Sequence, residues 1–129
     1  MNGSRFLLDT NAIIQLFKGN GELSALLSDA DVVAASVISE LEYLSFPGIS
    51  PKDADLFMDF KSVIEVYGVP ADDSVFSGMV VDARTKFRMK LPDAIIAATA
   101  RVNNLTVVTA DEHFKPLTEP WFVRFFTPI

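Results

Sequence analysis

Cysteine is absent from the 129 residues, so neither a disulfide nor a thiolate metal site contributes to this fold. Histidine occurs once, at His113, in a short turn where it carries no chemistry on its own. Positive charge is scarce: 11 Lys and Arg against 17 Asp and Glu leave a net charge of −6. That balance argues against a protein that coats nucleic acid through its overall field. No uncharged apolar run approaches bilayer length, and Asp9 comes too early for a secretory signal. The chain is therefore expected to be cytoplasmic, with no membrane contact. Repeats, low-complexity tracts and dividing linkers are also missing, so residues 1–129 are expected to form a single domain.

What is present is a core. Half of the residues are hydrophobic and 22% are charged, the composition of a folded globule. Apolar runs of strand length alternate with longer stretches of helical period, the signature of an α/β domain with a mainly parallel sheet. Strands are expected at Arg5 to Leu8, Asp31 to Ala35, Ser62 to Tyr67, Leu105 to Thr109 and Phe122 to Phe126. The longest helix is expected from Asp72 to about Met89, with Phe76, Met79, Val80, Ala83 and Phe87 as its apolar stripe. Pro92 is expected to keep Leu91 out of helical geometry, so that the next helix begins at Asp93.

Three aspartates have an ordinary explanation. Asp9 ends the first strand, Asp93 opens a helix and Asp111 follows VVT, and each is placed to cap a helix start. Position adds a second explanation. Strand carboxyl ends of a parallel sheet share one edge, where ligands bind, and Asp9 and Asp111 both belong there. Glu40 differs. Val37, Leu41 and Leu44 form a helical stripe, and Glu40 lies beside it, while Glu42 falls more to the other side. A buried carboxylate needs a cation, although a tilt of the helix would leave Glu40 in water. Two carboxylates about 4 Å apart repel by roughly 4 kcal/mol at an effective dielectric near 20. A converging set must hold protons or bind a hard cation such as Mg²⁺ or Mn²⁺, which suits phosphoryl chemistry.

The segments LLDTNAII, SELEYL, LPDAIIAATA and VVTADEHF, in that order along the chain, resemble the PIN domain, in particular the ribonuclease toxins of VapBC-type toxin–antitoxin pairs. The resemblance implies a three-layer α/β/α sandwich around a mainly parallel sheet of four or five strands. It implies a Mg²⁺- or Mn²⁺-dependent endoribonuclease with Asp9, Glu40, Asp93 and Asp111 as catalytic and metal-binding acids, supported by Asn11 and Thr109. It also implies an antitoxin partner and a homodimer. Two positions depart from the pattern: Leu44-Ser45 stands where glycine is common, and Ala110 where a basic or amide residue often precedes the last acid. Alternatives within the fold are an RNA-processing nuclease outside a toxin–antitoxin pair and a non-catalytic RNA- or protein-binding module. Phosphoaspartate enzymes are disfavoured, because Asn11 replaces the second acid of Asp-x-Asp.

Arg84, Lys86, Arg88 and Lys90 concentrate four of the eleven basic side chains just before the Asp93 segment. They suit the negative end of a helix dipole, and equally a phosphate track for RNA. Eleven phenylalanines exceed what a small core needs, and Phe46, Ile49, Leu56, Phe57, Met58 and Phe60 are expected to divide between core and a partner-binding patch.

Overall fold

The computed structural model describes residues 4–129. Five strands form one parallel sheet in the order β3-β2-β1-β4-β5: β1 Arg5–Leu8, β2 Val32–Ser36, β3 Glu65–Tyr67, β4 Thr106–Thr109 and β5 Val123–Phe125. Six α-helices cover its two faces: α1 Thr10–Phe17, α2 Gly21–Ser28, α3 Val37–Leu44, α4 Pro51–Lys61, α5 Ser74–Phe87 and α6 Leu91–Val102. The three-layer α/β/α arrangement expected from the sequence is the one observed.

Alternation along the strands builds two cores. Leu7 and Val107 face one side, where they pack with Ala83, Ala94, Ala97 and Trp121 beneath α5 and α6. Phe6, Leu8 and Val108 face the other, against Ala12, Ile13, Leu23, Tyr43 and Phe57 from α1 to α4. The second core is aromatic. Phe57 is fully buried, and its ring centroid lies 5.1 Å from that of Tyr43.

Helix starts follow local chemistry. Asp9, Asn20, Ser36, Ser50 and Asp73 each accept a backbone N–H from the turn they open, and Ser50 with Asp53 forms a capping box ahead of Pro51. The α6 start corrects the sequence expectation. Leu91 is the first helical residue, Lys90 is the flanking cap without a side-chain bond, and Pro92 sits in the first turn. Proline is tolerated there because the N–H it lacks would have had no helical partner. Asp93 thus lies inside the first turn, relieved of capping.

Two topological features set the edge that matters. Strand order changes direction between β1 and β4, leaving a crevice beyond their carboxyl ends. Residues 88–90 turn α5 back into α6 as an antiparallel pair, and Arg88 takes the left-handed conformation (φ 57°) that such a helix end requires. Because α6 leads into β4 and runs against it, its first turn lies at the carboxyl edge of the sheet. Phe57→Ala is expected to cost about 3–5 kcal/mol by leaving a cavity in the aromatic core. Urea unfolding with an unchanged m value would measure it, and a loss below about 1 kcal/mol would place Phe57 outside the cooperative core.

Candidate active site: an acidic cleft

The crevice between β1 and β4 is a cleft of about 410 Å³ lined by Asp9, Thr10, Asn11, Glu42, Asp93, Ile96, Ala110, Asp111 and Pro128. Four of these are acids and none is basic.

Asp9 reaches the cleft from the end of β1. Its Oδ1 accepts the Ala12 amide at 2.8 Å, and its Oδ2 accepts the Thr109 hydroxyl. The capping role read from the sequence is therefore real and coexists with a place in the cleft. Asp9 is only 6% exposed. Burial pushes its carboxyl up to about 6, with the neighbouring Asp111 and Asp93 charges adding to the rise and the two hydrogen bonds opposing it. Asp93 is also raised, first by burial and then by Asp111 and Glu42, against the pull of His113 and Lys90.

Thr109 ties the two strand ends together. While its hydroxyl donates to Asp9, the same oxygen accepts the Asp111 amide at 2.9 Å. Asp111 is turned back on its own segment: its Oδ1 accepts the His113 amide at 2.9 Å and lies 2.7 Å from His113 Nδ1. Oδ2 remains for the cleft. Asn11 lines the rim and is exposed.

The acid from α3 is Glu42, not Glu40. Glu42 lines the cleft, accepts the Thr10 hydroxyl at 2.5 Å and raises Asp93 through its charge. Glu40 instead meets Lys61 on α4, with Nζ 3.0 Å from Oε1 and 3.1 Å from Oε2, and its side chain is 14% exposed. The physical reason is helix phase. The buried residues of α3 are Ser39 and Tyr43, whereas Leu41 is 55% exposed. Successive residues turn about 100°, so Glu40 and Glu42 stand about 200° apart, one on each flank of the buried face. A stripe drawn through Val37, Leu41 and Leu44 selects the wrong face. Weighting Tyr43, the bulkiest side chain of the helix, would have found the right one.

Arg84, Lys86, Arg88 and Lys90 are all exposed, around the α5–α6 turn. Lys86 pairs with Asp82 at 3.6 Å, one turn earlier on α5, and Lys90 is near enough to Asp93 to hold its carboxyl down. The patch therefore adjoins the cleft without lining it.

Among the described residues, no three acidic or histidine side chains close into a tight metal cage. The donors nevertheless suit a hard cation: they are all oxygen, they face one another across an open cleft, and no basic residue is among those lining it. Mg²⁺ keeps several waters and needs only one or two carboxylates directly, so an open arrangement fits it.

An open parallel sheet with carboxylates at its switch point defines a ligand-binding α/β domain, and the comparisons give its family. The PIN domain pattern matches residues 6–119, and the chain belongs to that family. Three solved structures are similar in fold. A toxin–antitoxin complex from Klebsiella pneumoniae has a TM-score of 0.74 at 26% identity, covering 95% of this chain and 97% of that one. VapBC2 from Rickettsia felis, bound to a DNA fragment from its promoter, has a TM-score of 0.76 at 19% identity, covering 95% and 98%. DNA-bound VapBC from Salmonella typhimurium has a TM-score of 0.73 at 21% identity, covering 97% and 98%. No curated protein matches the chain in sequence.

The raised Asp9 carboxyl has a sign that can be tested. Its folded value, about 6, exceeds the ordinary 3.8, so its contribution to stability is complete below 3.8 and is lost as pH rises through 6. In metal-free protein Asp9→Asn should change little near pH 4. Above about pH 6 it should raise stability by roughly 1–3 kcal/mol, as thermal unfolding across that range would show. A variant that is less stable than wild type at every pH would contradict this.

Proposed function

We propose that the chain is a metal-dependent endoribonuclease and the toxin of a type II toxin–antitoxin pair, with its active site at Asp9, Glu42, Asp93 and Asp111. The observation that carries this reading is a cleft lined by four carboxylates and no basic residue, at the switch point of a PIN domain. Asp9 and Glu42 are held by hydroxyls and not by a cation, in contrast to Glu40, which Lys61 pairs.

A bound Mg²⁺ or Mn²⁺ would neutralise the phosphate, lower the pKa of a coordinated water and steady the leaving oxygen. We assign such an ion to Asp9 and Asp93, because both are pushed toward protonation by burial and by neighbouring carboxylates and would gain from a cation. Glu42, fixed by Thr10, faces the same space and is suited to orient a water or complete the donor set. Asp111 offers one oxygen only, since the other is held by His113, and it is the peripheral member. Thr109 keeps Asp9 and Asp111 in register. Arg84, Arg88 and Lys90 would then lead a phosphate backbone toward Asp93.

The partner reading rests on a second feature. An apolar groove of about 410 Å³ runs between α1, α3 and α4, lined by Ile14, Phe17, Tyr43, Phe46, Ile49 and Leu56, with Lys18 and Asp53 also among its lining residues. Of the aromatic and aliphatic cluster noted in the sequence, Phe57 belongs to the core, whereas Phe46, Leu56 and Met58 are 60%, 42% and 49% exposed. Similar structures are toxin–antitoxin complexes, and a groove of this kind suits an antitoxin segment. Pairing with a second copy of the chain belongs to the same reading.

Mutagenesis separates the two glutamates. With Mn²⁺ and an RNA substrate, Asp9→Asn, Asp93→Asn and Glu42→Gln are each expected to lower cleavage by about 100-fold or more, of the order seen when one group that stabilises the transition state is lost. Glu40→Gln should stay within a few-fold of wild type while lowering the unfolding midpoint. Cleavage that depends on Glu40 and survives Glu42→Gln would reverse the assignment. For the basic patch, the Arg84→Glu/Arg88→Glu pair should weaken RNA binding and reduce the slope of log K against log salt by about 1–1.5, since each phosphate contact to a single strand contributes roughly 0.7. An unchanged slope would assign the patch to solvent and the helix dipole.

A further inference from the structure

One wall of the acidic cleft comes from the irregular segment that follows β5. Pro128 lines it, beside Asp9, Asn11 and Asp111. Residues 127–129 follow β5 in irregular, exposed backbone, a kind of segment that is loose unless something ties it down. Here it is tied at three points. The Asn20 amide Nδ2 donates to the Thr127 carbonyl at 2.9 Å, Glu22 Oε1 accepts the Thr127 amide at 2.9 Å, and Gln15 Oε1 accepts the Ile129 amide at 2.8 Å.

The residues doing the tying are unusual. Asn20 is fully buried and Gln15 is 6% exposed, although amides are mostly surface residues. Asn20 uses both ends of its amide, and Gln15 uses its carbonyl oxygen twice. Asn20 Oδ1 caps α2 by accepting the Leu23 amide, while its Nδ2 serves both Gln15 Oε1 at 3.2 Å and Thr127. Gln15 Oε1 takes Asn20 on one side and Ile129 on the other. Without the segment, two buried amides would lose partners, and a buried polar group without one is costly. The chemistry assigned to the cleft uses neither amide.

Proline adds stiffness between the two pinned residues. Its φ is fixed by the ring, and it has no N–H to leave unsatisfied. From this geometry we infer that Pro128, clamped by Gln15, Asn20 and Glu22, is a fixed wall that sets which RNA conformations enter the acidic cleft. The inference rests on the nuclease reading for the identity of the ligand, not for the wall. The cleft is at the small end of the range for ligand pockets, so it takes a local stretch of backbone. A flexible unpaired strand can bend around a fixed rim to present a phosphate, whereas a paired one brings a stiff second strand against Pro128.

The test measures affinity by fluorescence anisotropy with Ca²⁺ in place of Mg²⁺, for an unpaired oligoribonucleotide and for the same sequence locked in a hairpin stem. Wild type is expected to prefer the unpaired form. Pro128→Ala, which leaves every clamp bond intact, and Gln15→Leu, which frees Ile129, should each shrink that preference by roughly three- to tenfold, with the gain on the hairpin. A preference unchanged in both variants overturns the inference. So does a parallel fall in both affinities that tracks a lower Tm, which is what a merely structural role predicts. A shrinking preference in protein that cuts no RNA with Mn²⁺ would support the wall and sink the nuclease reading. Wild-type protein that binds neither RNA would overturn both.

Discussion

Where β1 lies beside β4, the Asp9 amide donates to the Val108 carbonyl at 3.2 Å, and Leu8 stands opposite Val108 in the register. That pairing stops the two strands at the same height, so the residues that leave them, Asp9 on one side and Asp111 on the other, emerge into one crevice. Thr109 completes the junction by bonding both. The other acids arrive by consequence. Glu42 comes from α3, which follows the neighbouring strand β2, and Asp93 comes from a helix that must run against β4 to feed it. A parallel sheet thus gathers charges from four distant points of the chain onto one edge.

Gathering them works against the fold. Asp9 is the clearest case, since it serves the first turn of α1 with one oxygen and sits almost fully buried among like charges with the rest of its carboxylate. Water would solvate that charge better than this site does. The strain is tolerable because the backbone and Thr109 bonds oppose it and because the large cores on both faces supply the stability. The same tension makes the site responsive to cations, because whatever neutralises the cleft also relieves the fold.

Much of this was legible in the sequence, for reasons that can be named. Strands β1 and β4 are short, continuous apolar runs bounded by polar residues, and parallel strands buried on both faces read that way. Asp9 and Asp111 were placed because strand ends are easy to see. Asp93 was placed through family likeness, and its helix start was misplaced by two residues because the rule for residues before proline overstates its case in a first turn. Glu42 was missed. On a helix of eight residues three apolar side chains outvoted one tyrosine, and the direction of burial depended on packing against α1 and α6 that no local period contains. The clamp on residues 127–129 was also invisible, since it joins residues more than 100 positions apart.

The sheet ends abruptly on both sides. Its two edge strands, β3 and β5, are three residues long, and β5 carries the charged Arg124 at its centre. Edges that short give another chain too few free backbone groups to extend the ladder, and a cation on the rim discourages it further. Association by strand addition is therefore disfavoured. The helices, by contrast, hold apolar side chains in the open, where side-chain shape, not main-chain pairing, selects the company the domain keeps.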